Sequence, residues 1–500
     1  LSGDLVHMQS KTLLLGLDIG TTAAKALLID ENGNLVAAAS RDYPLSTPQP
    51  GWAEQNPDDW WQATKAVIAQ LCANARGAQV AALGLTGQMH GSVFLDSSGR
   101  VIRPAILWCD QRTAADCLEI ERLVGPERLV QITRNPVLTG FTAPKVLWLK
   151  RCEPAGYAMV AKLLLPKDFI RFKLTGCFAS EVSDASGTSL FDVGARCWSA
   201  EILAALGIPE SWMPQVSESP EITARIPAAI AAELGLPAET PVVGGAGDQA
   251  AGAVGCGICE QGLVSCSIGT SGVIFSFAPA PAVDPHLALH TFCHAVPNAW
   301  HHMGVMLSSG GSLRWFRDTF APEIAYDYLC EEAAPVAPGA DGLFFLPYLA
   351  GERTPHKDPN ARGAFVGIGL HHARPHFVRA VLEGVAFGLR DSLELMRACG
   401  LTAAQIRLTG GGAKSRVWRQ ILADVFGTDC VTLNVDEGPA FGAAILAGVG
   451  VGVWPTVPEA CRACVRLADL ISPIPSASAA YQPLYSHFRS LYPTLRLQQA

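Results

Sequence analysis

Residues Leu13 to Lys25 read LLLGLDIGTTAAK, and in the second half of the chain Leu263 to Val273 read LVSCSIGTSGV. Each is an apolar run that stops at a glycine followed by two hydroxyl residues. A strand ending this way offers free backbone N–H groups and hydroxyl donors at one bend, which is what the oxygens of a polyphosphate require. One Gly-Thr bend also makes an ordinary hairpin corner. Two in equivalent settings point to a duplicated architecture gripping one nucleotide between two lobes. The copies differ at one position: Asp18 precedes Ile19-Gly20, whereas Ser267 precedes Ile268-Gly269. A carboxylate in only one copy suits a single magnesium site, with Asp18 holding the ion through water. Lys25 either offsets phosphate charge or is a solvated surface lysine.

A chain of 500 residues exceeds what one core supports, so two or three domains are expected. Apolar residues make up 49% and charged residues 16%, the balance of a well-buried enzyme and not of a disordered protein. The most apolar stretch, Pro241 to Phe277, is interrupted by Asp248, Glu260 and a string of glycines, so no membrane span is expected. A net charge of −8 without a basic stripe argues against nucleic acid as a partner. Fifteen scattered cysteines, an odd number, read as reduced thiols of a cytoplasmic protein. The pairs Cys256/Cys259 and Cys461/Cys464 have Cys-x-x-Cys spacing. Their wide separation favours coincidence over a zinc or redox site. Leu1 to His7, ahead of Met8, read as a vector-derived tail.

The N-terminal third alternates strand and helix signals. Glu31 to Asn34 make a hairpin turn between apolar runs, and Asn56-Pro57-Asp58-Asp59 opens a helix with a cap, a first-turn proline and two acids at its positive end. The pattern predicts a strand at Val80–Leu85 that ends in Thr86-Gly87-Gln88-Met89-His90-Gly91. A domain boundary is expected near residues 255–262, dividing the chain into 12–258 and 259–500 after a short leading segment, 1–11. Farther on, Arg374 to Gly400 reads as a long helix. A strand at Gln405–Leu408 runs into Gly410-Gly411-Gly412-Ala413-Lys414-Ser415, and a helix follows from Arg416 to Phe426. Strand, triple glycine and helix N-terminus form a nucleotide-type junction, though not a Walker loop. The last 25 residues read as a Ser/Pro-rich stretch before a short terminal helix.

Asp248 is the catalytic candidate. It ends a β run and glycine bend, Val242 to Gly247, and opens an Ala/Gly-rich helix. In phosphoryl transfer such an aspartate accepts the proton of the attacking hydroxyl; the alternative is that it only caps its helix. Gln88-Met89-His90 ends a strand, where a histidine can hydrogen-bond sugar hydroxyls and a methionine can pack on a carbon face, or the histidine is structural. The remaining histidines show no metal-ligand spacing with acids.

With these segments in order, the chain resembles the FGGY family of sugar kinases, within the actin/hexokinase/chaperone ATPase superfamily. The match runs through Gly16 to Thr22, Gly51 to Gln55, Gly244 to Gly252, Ser267 to Gly272, Tyr348 to Pro355, Gly410 to Ser415 and Gly438 to Ala444. Within the family, Gln88 to Gly91, Leu165 to Asp168 and Ser183 to Thr188 are similar to the branch that phosphorylates the ketopentose D-xylulose. The resemblance implies an α/β fold of two ribonuclease-H-like lobes with a nucleotide cleft between them, ATP and Mg2+ as the required small molecules, and a homodimer as a common state. It implies that Met89, His90, Asp248 and Gln249 contact the ketopentose, that Asp248 accepts the proton, and that Asp18 and Asp248 serve the metal. It assigns Gly20, Thr21, Thr22 and Lys25 to the terminal phosphates, with Gly269 and Thr270 on the other lobe and Gly310, Gly411 and Gly412 beside ribose and adenine. Gln249 stands where many relatives have Asn, which leaves selectivity among pentuloses open. An actin-like switch ATPase explains the two bends equally well, but not the Gln88–Gly91 and Asp248–Gln249 segments.

Overall fold

The opening run becomes the central strand of a sheet. In the computed structural model, which describes residues 12–74, 79–434 and 438–496, this strand is Thr12–Ile19 (β1). The expected leading segment, residues 1–11, lies outside the described residues. The chain divides into two units. Unit 1 comprises Leu1–Cys259, Phe292–Trp300 and Glu437–Val465; unit 2 comprises Glu260–Thr291, His301–Asp436 and Arg466–Ala500.

In unit 1, β1 is followed by Ala23–Ile29 (β2), Leu35–Asp42 (β3), helix Pro57–Asn74 (α1) and Gln79–Gly87 (β4). Helix Pro166–Thr175 (α2), strands Ile222–Arg225 (β5), Pro241–Val243 (β6) and Ala246–Gly247 (β7), and helix Asp248–Gly255 (α3) come later. The sheet order is β5-β6-β4-β1-β2-β3, with β7 also on β4. β1 is parallel to β4 and antiparallel to β2, while β4 and β6 are parallel and β6 and β5 antiparallel.

β1 is apolar and buried from Leu13 to Leu17 because both of its faces are covered. Leu13, Leu15 and Leu17 join Trp60, Ile68 and Leu71 of α1 in one core. On the opposite face a Cβ at Gly16 would lie 1.9 Å from the Ala440 carbonyl, and one at Gly84 1.9 Å from that of Ala443. Helix Gly438–Gly450 therefore lies directly on a glycine lane of the sheet. The expected turn after Ile29 forms: the Asp30 carboxylate accepts the N–H groups of Asn32 and Asn34, each at 2.9 Å. Asn56 caps α1 by accepting the Asp58 N–H at 3.1 Å.

Unit 2 repeats the plan. Gly262–Ile268 (β8), Gly272–Ala278 (β9), helix Gly310–Phe320 (α4), helix Arg374–Ala398 (α5), Ala403–Thr409 (β10), helix Arg416–Phe426 (α6), Cys430–Leu433 (β11) and Leu467–Ile471 (β12) supply it. The strands lie in the order β9-β8-β10-β11-β12, antiparallel, parallel, parallel, antiparallel. That is the order and sense of β2-β1-β4-β6-β5: the duplication expected from the paired bends, in the ribonuclease-H-like form that the resemblance implies.

The C-terminal expectation needs correction. The terminal helix is long, Pro475–Arg496 (α7), and holds Pro483 and Pro493 inside it. Tyr481, Tyr485 and Phe488 are buried, and the Tyr481 and Tyr485 hydroxyls donate to Glu383 at 2.7 Å and Asp391 at 2.6 Å on α5. Tertiary anchoring outweighs the two prolines. Among the described residues no helix is long and apolar enough to cross a membrane.

Candidate active site

Three strands of unit 1, β1, β4 and β7, run parallel and end at one sheet edge. Their register aligns two rows. Ala246, Thr86, Asp18 and Lys25 stand side by side, and one step farther Gly247, Gly87, Ile19 and Ala24 do so. Just past this second row the strands give way to Gly20–Thr22, Gln88–Gly91 and Asp248–Gln249. Ligands of open α/β sheets bind outside such carboxyl ends, so three separate sequence segments meet at one place.

The Gly20–Thr22 bend is tied down from several sides. Gly20 N–H donates to the Ala23 carbonyl at 3.1 Å, and the Tyr43 hydroxyl donates to the Gly20 carbonyl. Gln55 Nε2 donates to the Thr21 carbonyl at 2.7 Å, and the Trp108 indole N–H to Thr21 Oγ1 at 3.0 Å. Burial, with help from the Asp18 charge, holds the Tyr43 phenol well above its ordinary pKa, so it stays a donor. Asp18 is half-buried. Lys25 lies opposite it on β2 with an exposed side chain. Among the described residues no three His, Cys, Asp or Glu side chains gather to hold a metal. Asp18 alone fits an ion that keeps its waters and takes its remaining ligands from phosphate, which is the habit of magnesium.

Asp248 is the first residue of α3. Burial pushes its carboxyl up to about 6, against hydrogen bonds from the backbone and side chain of Gln249. The strand-to-helix corner that presents it is fastened from beneath. Arg171 on α2 donates to the carbonyls of Val243 at 2.7 Å and Gly244 at 2.6 Å, and Gly247 N–H donates to Ser183 Oγ at 3.1 Å. Ser183 in turn donates to Glu181 at 2.9 Å. Lys167 sits 2.8 Å from Asp168, 3.2 Å from Asp184 and 3.5 Å from Glu181, with every one of these side chains fully buried. Burial drives Asp184 well above the carboxylate range, whereas Lys167 is held charged because three carboxyl groups outweigh its desolvation. The segments Leu165–Asp168 and Ser183–Thr188, which the sequence marks only by resemblance, thus form the footing of the Asp248 corner.

Met89 and His90 face that corner. Met89 is buried, and a Cβ at Gly247 would lie 2.9 Å from its Cγ. His90 adopts a left-handed backbone with φ of 69° and stacks on Phe141 at 4.6 Å. Its Nδ1 lies 2.7 Å from the Gly187 carbonyl. A carbonyl only accepts, so Nδ1 carries the hydrogen in this bond, which fixes the orientation of the ring. A Cβ at Gly187 would fall 2.4 Å from the imidazole, so the ring seats where only glycine fits. The His90 carbonyl accepts from Lys145 Nζ at 2.8 Å and Thr142 Oγ1 at 3.1 Å. Burial pulls the Lys145 ammonium down to about 7. Lys145, Phe141 and Gly187 were not among the expected site residues. A lysine within an apolar helix face is the only trace the first of them leaves in the sequence.

In unit 2 the bend after β8 and the start of α4 are joined. Gly310 and Gly311 N–H groups donate to the carbonyls of Gly269 at 2.8 Å and Thr270 at 3.0 Å. Gly269, Thr270, Gly310, Gly411 and Gly412 together line a cavity of about 360 Å³, with Leu313, Arg314, Tyr326, Cys330 and Trp418 among the further walls. All five residues expected in this half therefore gather around one pocket of small-ligand size. Trp418, buried and donating its indole N–H to the Leu382 carbonyl at 3.1 Å, is a rigid wall that sequence reading did not single out. Both Cys-x-x-Cys pairs are buried in unit 1.

Comparison with known proteins agrees with this geometry. The N-terminal domain of the FGGY family of carbohydrate kinases matches residues 13–255, and its C-terminal domain matches residues 264–451. The xylulose kinase of Escherichia coli strain K12 is 42% identical over 97% of this chain and 99% of its own length. That of Bacillus subtilis strain 168 is 40% identical over 96% of each. The solved structure of a "xyloylose kinase" from Brucella ovis superposes with a TM-score of 0.92 at 40% identity, covering 97% of this chain and all of the other. Duplicated sheets, paired phosphate-type bends and an aspartate corner beside a histidine loop meet these matches along nearly the whole sequence: the chain belongs to the FGGY family of carbohydrate kinases.

Proposed function

We propose that this enzyme transfers the terminal phosphoryl group of ATP to D-xylulose, giving D-xylulose 5-phosphate and ADP. The observation that carries the reading is Asp248, a carboxyl near pKa 6 directly after Gly247, against which Met89 packs. The xylulose kinases to which the chain is similar support the choice of sugar. Met89 packs on the carbon face of the ketose, His90 hydrogen-bonds a hydroxyl, and the Gln249 amide supplies a further contact on a longer arm than Asn would. The oxygen of the C5 hydroxyl bonds to the γ-phosphorus, the bond from that phosphorus to the bridging oxygen of ADP breaks, and the hydroxyl proton passes to Asp248. An aspartate near pKa 6 is a modest base, so orientation contributes more than proton removal.

Gly20, Thr21, Thr22 and Lys25 receive the terminal phosphates, together with Gly269 and Thr270, while Gly310, Gly411 and Gly412 accommodate adenosine. Asp18, through water, and Asp248 are the carboxylates that would hold magnesium, which when bound would neutralise phosphate charge. Residues 12–258 then carry sugar binding and proton transfer, and residues 259–500 adenosine binding. Use of ATP and an odd set of fifteen cysteines fit a cytoplasmic enzyme.

The test is ADP release with Mg-ATP and, in parallel, D-xylulose, L-ribulose, D-ribulose, glycerol or no sugar. A rate that rises strongly with D-xylulose supports the reading. A rise with another pentulose alone reassigns the substrate, and one slow rate in every arm contradicts sugar phosphorylation altogether.

A further inference from the structure

The Gly51–Gln55 segment has no role in the chemistry above, yet it is held with unusual firmness. Arg112 stacks on Trp52 at 3.5 Å and pairs with Glu54 at 2.7 Å and Asp110 at 2.7 Å. Asp110 also accepts the Ala53 N–H at 2.6 Å, and Arg103 adds a second ion pair to Glu54. The last residue of this clamped segment, Gln55, is 2% exposed, and all four hydrogen-bonding positions of its amide are used. Nε2 donates to the carbonyls of Thr21 at 2.7 Å and Pro44 at 3.3 Å. Oε1 accepts from Trp60 Nε1 at 3.0 Å and Gln88 Nε2 at 2.9 Å. Two N–H donors aimed at one end and two carbonyls at the other leave the amide a single orientation.

We propose that Gln55 is a positioning residue that couples the phosphate bend to the ketose bend. One arm grips Thr21 and the other grips Gln88, the residue directly before Met89-His90. The bends also meet through the backbone, where Gln88 N–H donates to the Ile19 carbonyl at 2.9 Å. Gln55 adds a side-chain link between the same two loops, anchored to a segment that neither ligand touches. Ordering either bend therefore orders the other, so a ligand at one lowers the cost of binding at the other. The inference rests on the assignment of ketose and phosphate to these bends.

The experiment is calorimetric titration of Mg-ADP into the parent protein with and without saturating D-xylulose, repeated on Gln55→Met and Gln88→Met, with melting temperatures and ketose-dependent ADP release measured alongside. In the parent, D-xylulose tightens Mg-ADP by about fivefold or more, the lower end of ordinary site coupling. In both variants the ratio falls to within about twofold of unity, a change that a merely structural side chain would not produce even when melting temperature drops. Each variant cuts the bridge from a different end, so one that fails to fold leaves the other to decide. Coupling retained in a folded variant, or absent from a parent that still phosphorylates D-xylulose, overturns the bridge. A parent with no sugar-dependent turnover overturns instead the functional reading beneath it.

Discussion

The bend at Asp18–Thr22 and the bend at Ser267–Ser271 occupy the same station in two sheets of the same strand order, and they present different chemistry. Across the first sheet the row is Lys25, Asp18, Thr86; across the second it is Val273, Ser267, Thr409. The threonine on the neighbouring parallel strand is kept, while the charged pair is replaced by a hydroxyl and an aliphatic side chain. The next loop diverges too. Gly87 leads into Gln88-Met89-His90, with an oriented imidazole, whereas Thr409 leads through Gly410 into Gly411-Gly412, which line a cavity. A shared backbone thus supplies the same bend twice, and on the function proposed above a few side chains at fixed register positions would decide which copy serves metal and sugar and which serves adenosine.

The largest effect should come from removing the carboxyl proposed as the base. Asp248→Asn is expected to lower kcat by ~10³-fold, within the range of general-base catalysis, while Mg-ADP affinity stays within about twofold. The same variant should melt higher than the parent at pH 8. The folded-state pKa of about 6 lies above the unfolded value, so ionising Asp248 costs stability as pH rises through that interval, and Asn escapes the cost. At pH 5 the gain should shrink.

Next in size, Asp18→Ser makes the first bend resemble the second and should lower kcat by ~10²-fold, the usual loss when a stabiliser of developing phosphate charge is removed. Ser267→Asp makes the converse change and should weaken ATP binding without creating activity in an Asp18→Ser background. The pH profile sharpens the assignment further. The base must be ionised, so kcat/KM should fall about tenfold per unit below pH 6 and level off above it. Gly187→Ala drives a methyl group into the His90 ring and should raise the KM for ketose about tenfold with little change in that for ATP. The smallest effect belongs to Lys25→Ala. As an exposed charge opposite Asp18, Lys25 should shift the KM for ATP by only about threefold, fading with salt.

Much of this was legible in local sequence. The Asp18/Ser267 asymmetry, the glycine junction at 410–412, the Asp248 corner and the cap at Asn56 each lie within a few residues of chain, where turn chemistry and strand ends leave their mark. What escaped was made by distant partners. Nothing near Gln55 says that its amide will join Thr21 to Gln88, and nothing near Lys145 says that it will be buried against the His90 carbonyl. Nothing near Lys167, Asp168, Glu181 and Asp184 says that folding will gather them beneath the Asp248 corner. The long terminal helix escaped for the same reason, since its buried tyrosines find partners on α5 that outweigh two prolines.

The division of labour between the two bends is tested most directly by titrating Mg-ADP and metal-free ADP into Asp18→Asn and Ser267→Ala. The account predicts that magnesium strengthens ADP binding in the parent and in Ser267→Ala, and that this dependence disappears in Asp18→Asn. Loss of the magnesium effect in Ser267→Ala, or its survival in Asp18→Asn, would contradict it.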